Sequence, residues 1–212
     1  MIVAIDGPAG VGKSTLARCV AESAGFVYLN SGNLYRAITL VALRAGVDAA
    51  DGARIAELSG DMDLALEGDH LLLDGERVGG ELRSDDVDAQ VALVSSHPVV
   101  RDRVNELLVK LADGNDVVVE GRDMTTVVFP DAEVRVYLDA SLDARARRRM
   151  DQGTSSLELE ELKTRIARRD RIDEEKAVGA LRRAPGVLYL DSSYLTIGQV
   201  CEKVMDTIRD TR

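Results

Sequence analysis

The sequence predicts an α/β fold in which helices cover an open, parallel sheet. A short apolar run at residues 2–5 and the valine-rich stretches at 116–120 and 134–138 read as uninterrupted strands of the parallel-sheet kind. They alternate with stretches of helical periodicity, and only one antiparallel interruption breaks that alternation. The first run leads through a glycine-rich turn directly into a helix.

Taken in order, the strand at 2–5 is followed from Lys13 by apolar positions at helical spacing: Leu16, Ala17, Val20, Ala21 and Ala24. Gly25 supplies the C-terminal stop. Residues 26–29 form a second short strand. Leu34, Ile38, Val41, Ala42 and Ala45 then mark a helix closed by Gly46. The texture changes next. Residues 64–67 and 71–74 flank Gly68-Asp69 as a small antiparallel hairpin, and Asp74-Gly75 turns towards a further short strand. Val87, Val91 and Val94, then Val100, Val104, Leu107, Leu108 and Leu111, predict two helices parted at His97-Pro98. After the strand at 134–138, Ser141 can cap a helix carrying Arg145, Arg147, Arg148 and Arg149. A polar stretch at 151–156 precedes a charged helix with Leu159, Leu162 and Ile166. Residues 187–190 are a last strand, and Thr196 with Gln199 forms a capping box for a helix lined by Ile197, Val200, Val204 and Ile208. The region 50–95 reads as an inserted subdomain, and residues 148–165 as a mobile flap.

The 212 residues suit one α/β domain with small subdomains, and 45% apolar content suffices for a core. A net charge of −10 disfavours a nucleic-acid backbone or an anionic membrane as main partner. A small phosphorylated ligand then needs arginines concentrated locally. Arg145, Arg147, Arg148 and Arg149, followed by Arg165, Arg168, Arg169 and Arg171, are such a concentration. Cys19 and Cys201 sit among apolar neighbours at helical spacing and read as plain packing positions. Two cysteines far from His70 and His97 make neither a disulfide framework nor a zinc spacing. The chain opens on Met1-Ile-Val-Ala-Ile without a basic leader, and no apolar run approaches spanning length, so a cytoplasmic protein is expected. A monomer is compatible with the acidic composition.

Gly7-Pro-Ala-Gly-Val-Gly12-Lys13-Ser14 satisfies G-x-x-x-x-G-K-[ST] in full, after a strand and opening a helix. Three glycines let the backbone approach an anion closely. Exposed N–H groups and the positive end of the helix make a concave phosphate site. The expected ATP-binding residues are Gly7, Pro8, Ala9, Gly10, Val11, Gly12, Lys13, Ser14 and Thr15. Lys13 can follow the β- and γ-phosphates, and Ser14 is the expected Mg²⁺ ligand, phosphates and water completing the shell. The guanine motif N-K-x-D of GTPases is absent, which leaves a small-molecule kinase as the leading class.

On the acceptor side, Asn30-Ser31-Gly32-Asn33-Leu34-Tyr35-Arg36 follows the second strand, and Glu120-Gly121-Arg122-Asp123 the third. Ends of strands in such sheets meet the ligand crevice. Charged Arg122 and Asp123 beside glycine need a ligand or a partner there; a structural pair between the two is the alternative.

With these residues in view, the chain resembles the bacterial cytidylate kinase (CMP/dCMP kinase) family of P-loop nucleoside monophosphate kinases. The motifs are I-D-G-P-A-G-x-G-K-S, S-G-x-x-Y-R, G-R-D-x-x-T-V-V-F-P-D from Gly121 to Asp131, R-A-x-R-R from Arg145 to Arg149, and R-D-x-x-D from Arg169 to Asp173. The resemblance spans essentially the whole chain. It implies a five-stranded parallel sheet forming a core of about 1–30, 98–147 and 166–212, a monophosphate-binding region with its insert at about 31–97, and a lid at about 148–165. It implies that Ser31 lines the monophosphate site, that Arg36 and Arg122 hold the acceptor phosphate, and that Arg101 and Asp123 face the cytosine. Arg169 and Asp173 would reach the ribose, and Arg148 and Arg149 would join Lys13 in stabilising the transferred group. Lys176 stands where the family has a phosphate-binding arginine, and Ala92 aligns with a serine that contacts the base amino group. Cytosine offers an N4 amino donor with N3 and O2 acceptors, which a carboxylate beside a guanidinium complements. Implied partners are ATP with Mg²⁺ and CMP or dCMP. Two rivals remain: a kinase of another small acceptor such as UMP or shikimate, and a nucleotide-dependent interaction module without turnover.

Overall fold

The computed structural model describes residues 1–68, 70–151 and 157–212 and divides into two units, Met1–Phe26 with Asp116–Arg212, and Val27–Asn115. The first unit begins with β1 (Ile2–Asp6) and α1 (Lys13–Ala24). The second holds β2 (Val27–Asn30), α2 (Ser31–Arg44), α3 (Gly52–Gly60), β3 (Leu64–Glu67), β4 (His70–Leu73), β5 (Glu76–Val78), a 3₁₀ turn at Gly80–Arg83, α4 (Asp85–Val94) and α5 (Pro98–Ala112). The chain then returns to the first unit with β6 (Val117–Gly121), a π-helical turn at Met124–Val128, β7 (Val134–Asp139), α6 (Leu142–Asp151), α7 (Leu159–Glu175), β8 (Leu188–Asp191) and α8 (Ile197–Thr211).

In the first unit the strands run in the order β6-β1-β7-β8, and β1 pairs in parallel with both β6 and β7. Every residue of β6 is buried, as its unbroken apolar run requires, and Val3, Ala4, Ile5, Val136 and Leu138 complete the sheet's core. Parallel pairing brings the carboxyl ends of β1 and β6 into register, Asp6 beside Gly121. The loops carrying the charged motifs therefore leave the sheet at the same edge. In the second unit β3, β4 and β5 form the antiparallel three-stranded sheet expected from the turns at Gly68 and Asp74-Gly75, though Asp69 lies outside the described residues.

Several local signals act as the sequence indicates. Gly25 ends α1 in the left-handed conformation, Ser141 Oγ accepts from the Ala144 N–H, and Thr196 and Gln199 form a complete capping box on α8. Two features differ. Helix α3 has Asp51 as N-cap and a fully buried Ile55, but its single apolar turn between Gly52 and Gly60 is too short to read as periodicity. Cys19 and Cys201 are not separate packing positions. They pair as a disulfide between α1 and α8, with Cα atoms 6.3 Å apart. Their separation of 182 residues hides a contact that follows from the two helices packing side by side.

Candidate active site

The phosphate loop begins where β1 ends. A Cβ on Gly7 would sit 2.1 Å from the Leu138 carbonyl oxygen, so only glycine lets the loop lie against β7. Gly12 takes φ +99° as the N-cap of α1 and has no side chain to cap with, which leaves the first-turn N–H groups to an anion. Ser14 and Thr15 are exposed on that turn. Lys13 is buried, and its Nζ donates to the carbonyls of Gly7 at 2.8 Å and Pro8 at 2.9 Å. Burial pushes its ammonium down to a pKa of about 7; the charge of Arg122 adds to this, and Glu120, Asp6 and Asp173 oppose it. Lys13 and Arg122 are thus electrostatic neighbours.

Asp6 organises the neighbouring loop. Its carboxylate is fully buried and accepts from the N–H groups of Met124 (2.9 Å) and Thr125 (2.7 Å) and from Thr125 Oγ1 (2.7 Å). Burial raises its pKa, and these hydrogen bonds pull the other way. The π-helical turn after Arg122-Asp123 is pinned by the last residue of β1. Nothing in the residue types beyond an acid at a strand end before glycine signals this role.

Arg122 pairs with Asp173 rather than with its neighbour Asp123. Its Nε donates to Asp173 Oδ2 at 2.9 Å, and Lys176 Nζ lies 2.8 Å from Asp173 Oδ1. Three residues expected on the acceptor therefore form one cluster, Asp173 on α7 taking both cations. Burial would raise the Asp173 carboxyl, but Arg122 and Lys176 outweigh it and hold the pKa at about 2. Asp123 is buried nearby in sequence, and Arg169 is exposed on α7.

In the second unit Ser31 is buried at the start of α2, where Asn30 Oδ1 caps the helix by accepting from the Asn33 N–H. Arg36 donates to the Leu82 carbonyl at 2.8 Å and pairs with Asp88 of α4. Arg101 is buried with its guanidinium 5.6 Å from the Tyr35 ring centroid and donates to the Ser95 carbonyl at 3.3 Å. Ala92 is exposed on α4.

The arginine run divides by helical phase. Arg145 is buried, Arg148 half-buried, and Arg147 and Arg149 exposed. Arg148 donates to the Val11 carbonyl at 3.3 Å and to both Oγ and the carbonyl of Ser192, joining the phosphate loop to the loop after β8. Of the expected lid, residues 152–156 lie outside the described residues.

A sequence model described as Cytidylate kinase matches residues 3–210. The chain belongs to the cytidylate kinase family. A cytidylate kinase of Geobacillus kaustophilus is 40% identical, the match covering 98% of this chain and 96% of that one. Among solved structures, an uncharacterized protein of Eubacterium ventriosum has a TM-score of 0.59 at 12% identity, covering 100% and 99% of the two chains. A shikimate kinase of Bacteroides thetaiotaomicron has a TM-score of 0.50 at 13% identity, covering 99% and 98%. At such identities these two are likenesses of fold alone.

For a cytidylate kinase family member, the donor set decides how a metal can be held. Among the described residues no group of three or more His, Cys, Asp or Glu could hold an ion. The exposed Ser14 hydroxyl offers a single hard oxygen, which fits a divalent ion carried mainly by nucleotide phosphates.

Proposed function

We propose that this chain transfers the γ-phosphoryl group of ATP to CMP, and to dCMP, giving ADP and the nucleoside diphosphate. The observation that carries this reading is the electrostatic proximity of Lys13, in an intact phosphate loop, to Arg122, itself paired with Asp173 and Lys176. An acceptor that is already a phosphate dianion calls for such cations. A neutral or carboxylated acceptor such as shikimate does not call for so many. Membership of the cytidylate kinase family supports the same choice.

Because the acceptor is anionic, no covalent nucleophile is needed, and catalysis consists of in-line positioning and stabilisation of charge. Lys13 leaves the Gly7 and Pro8 carbonyls for the β- and γ-phosphate oxygens and regains its proton there. Arg122 and Lys176 receive the acceptor phosphate, and Asp173 holds them oriented until it arrives. Arg148 and Arg149 neutralise charge on the moving group, which for Arg148 requires release from Ser192. Ser31, Arg36 and Arg101 are assigned to the acceptor phosphate and base through the family resemblance, as are Asp123 to the base and Arg169 to the ribose. Ser14 with the nucleotide phosphates would hold Mg²⁺, which supplies neutralisation of phosphate charge. ATP and CMP are cytoplasmic metabolites, which supports a cytoplasmic enzyme of pyrimidine nucleotide metabolism. Among the described residues no helix is long and apolar enough to cross a membrane.

The test is transfer from γ-labelled ATP to CMP by wild type and Lys13→Ala. The expected loss is on the order of 10³-fold in kcat with the fold intact. Near-normal transfer by a folded Lys13→Ala protein would contradict the proposal.

A further inference from the structure

Ala9, near the top of the phosphate loop, is gripped through its backbone from both sides. Its N–H donates to Asp170 Oδ1 at 3.1 Å, and its carbonyl accepts from Arg145 Nη1 at 3.0 Å. The same Nη1 pairs with the other Asp170 oxygen, and Arg145 Nε donates to the Ala140 carbonyl at 3.1 Å. The two side chains are only 8% and 13% exposed. Arg145 comes from α6 and Asp170 from α7, helices that pack through Ala146, Leu162 and Ile166. The Arg145 stem also lies along the loop, its Cβ 3.9 Å from where a Cβ on Gly10 would sit.

A buried ion pair adds little net stability, because desolvating both charges offsets their attraction. Apolar side chains of the same volume would pack α6 against α7 as well. What they could not do is accept from the N–H and donate to the carbonyl of one loop residue. A loop with glycine at positions 7, 10 and 12 is free to take many conformations, whereas an anion site needs its N–H groups aligned before the ligand arrives. With both polar groups of Ala9 committed, the peptide planes on either side of it are fixed.

We propose that Arg145 and Asp170 are positioning residues for the phosphate donor, setting the top of the loop from outside it. This rests on reading residues 7–15 as the ATP site. Asp170 precedes Asp173 by one turn of α7, so successive turns of one helix serve the donor loop and the acceptor-side cations.

Asp170→Ala is compared with wild type by calorimetric ATP binding without acceptor, by steady-state kinetics with both substrates, and by thermal unfolding. ATP affinity and ATP KM should weaken by roughly ten- to a hundredfold, the range of a charge-assisted hydrogen bond, with CMP KM within about twofold. Asp170→Asn, which keeps an acceptor oxygen for the Ala9 N–H, should recover part of the loss, leaving ATP about three- to tenfold weaker. It also carries the comparison if Asp170→Ala does not fold. Wild-type ATP affinity in the folded variants would overturn the proposal, as would equal weakening of ATP and CMP, which would make the pair a feature of the fold. A wild type that itself fails to bind ATP would overturn the donor-site reading, and the pair's role with it.

Discussion

Arg122 Nε lies 2.9 Å from Asp173 Oδ2, although 51 residues separate the two in sequence. Lys176 closes on the other carboxylate oxygen, so Asp173 orients both cations assigned to the acceptor phosphate. Truncating it should therefore affect phosphate and ribose together. Asp173→Ala is expected to raise CMP KM by about ten- to a hundredfold and leave ATP KM within about twofold, the reverse of Asp170→Ala three residues earlier. Kinetics with each substrate varied in turn decide it.

The same carboxylate predicts a pH dependence. Asp173 is held at about 2, below the ordinary 3.8, so its contribution to stability is present above the ordinary value and is lost as pH falls through about 2. Asp173→Asn should be less stable than wild type at neutral pH, and the gap should close with acidification towards pH 2. Denaturant titrations across that window measure it; a gap that does not change with pH would show that the charge contributes nothing.

Lys13 gives a slope of the same sign in a higher window. Its folded pKa of about 7 lies below the ordinary 10.5, so the folded state binds fewer protons and stability should rise with pH between those values. Triphosphate contact restores the charge, so ATP binding at pH 8 should take up close to one proton on Lys13, and little at pH 6. Calorimetry in buffers of different ionisation enthalpy reads the uptake directly. Lys13→Met should abolish it, and uptake of the same size in that variant would assign the proton elsewhere.

Ala92 bears on base choice. Ser95 Oγ donates to the Ala92 carbonyl at 3.1 Å and Ser96 Oγ to the Leu93 carbonyl at 2.7 Å, which turns both nearby hydroxyls back onto the helix backbone, with only their lone pairs left for a donor. Restoring a hydroxyl with Ala92→Ser adds one neutral hydrogen bond to the cytosine amino group, about 0.5–1.5 kcal/mol. The CMP/UMP ratio of kcat/KM should widen several-fold, mainly through CMP. An unchanged ratio would mean that the amino group is already satisfied.

What the sequence makes legible is local. Short apolar and valine-rich stretches mark β1, β6 and β7, the glycine spacing marks the phosphate loop, and Thr196 with Gln199 marks the start of α8. Helical phase implies that four arginines within five positions face different ways, but it does not say that Arg145 faces inward to Ala9 while Arg148 reaches Ser192. The pairs Arg122–Asp173, Arg145–Asp170 and Cys19–Cys201 are decided by which helices pack together. Periodicity shows which face of a helix is buried and never names its partner. Asp6 is hidden differently: two of its three hydrogen bonds are to backbone N–H groups, which leave no trace in side-chain pattern.

The measurement that tests the central claim most directly is an ATP-coupled assay of one preparation against CMP, dCMP, UMP, AMP and shikimate, compared by kcat/KM. CMP and dCMP should lead, with UMP behind them and AMP and shikimate far below, if Arg122 and Lys176, paired through Asp173, take the acceptor phosphate as proposed, and because a carboxylate with a guanidinium suits cytosine. Faster turnover of shikimate or UMP, or hydrolysis of ATP with no acceptor phosphorylated, would contradict the assignment.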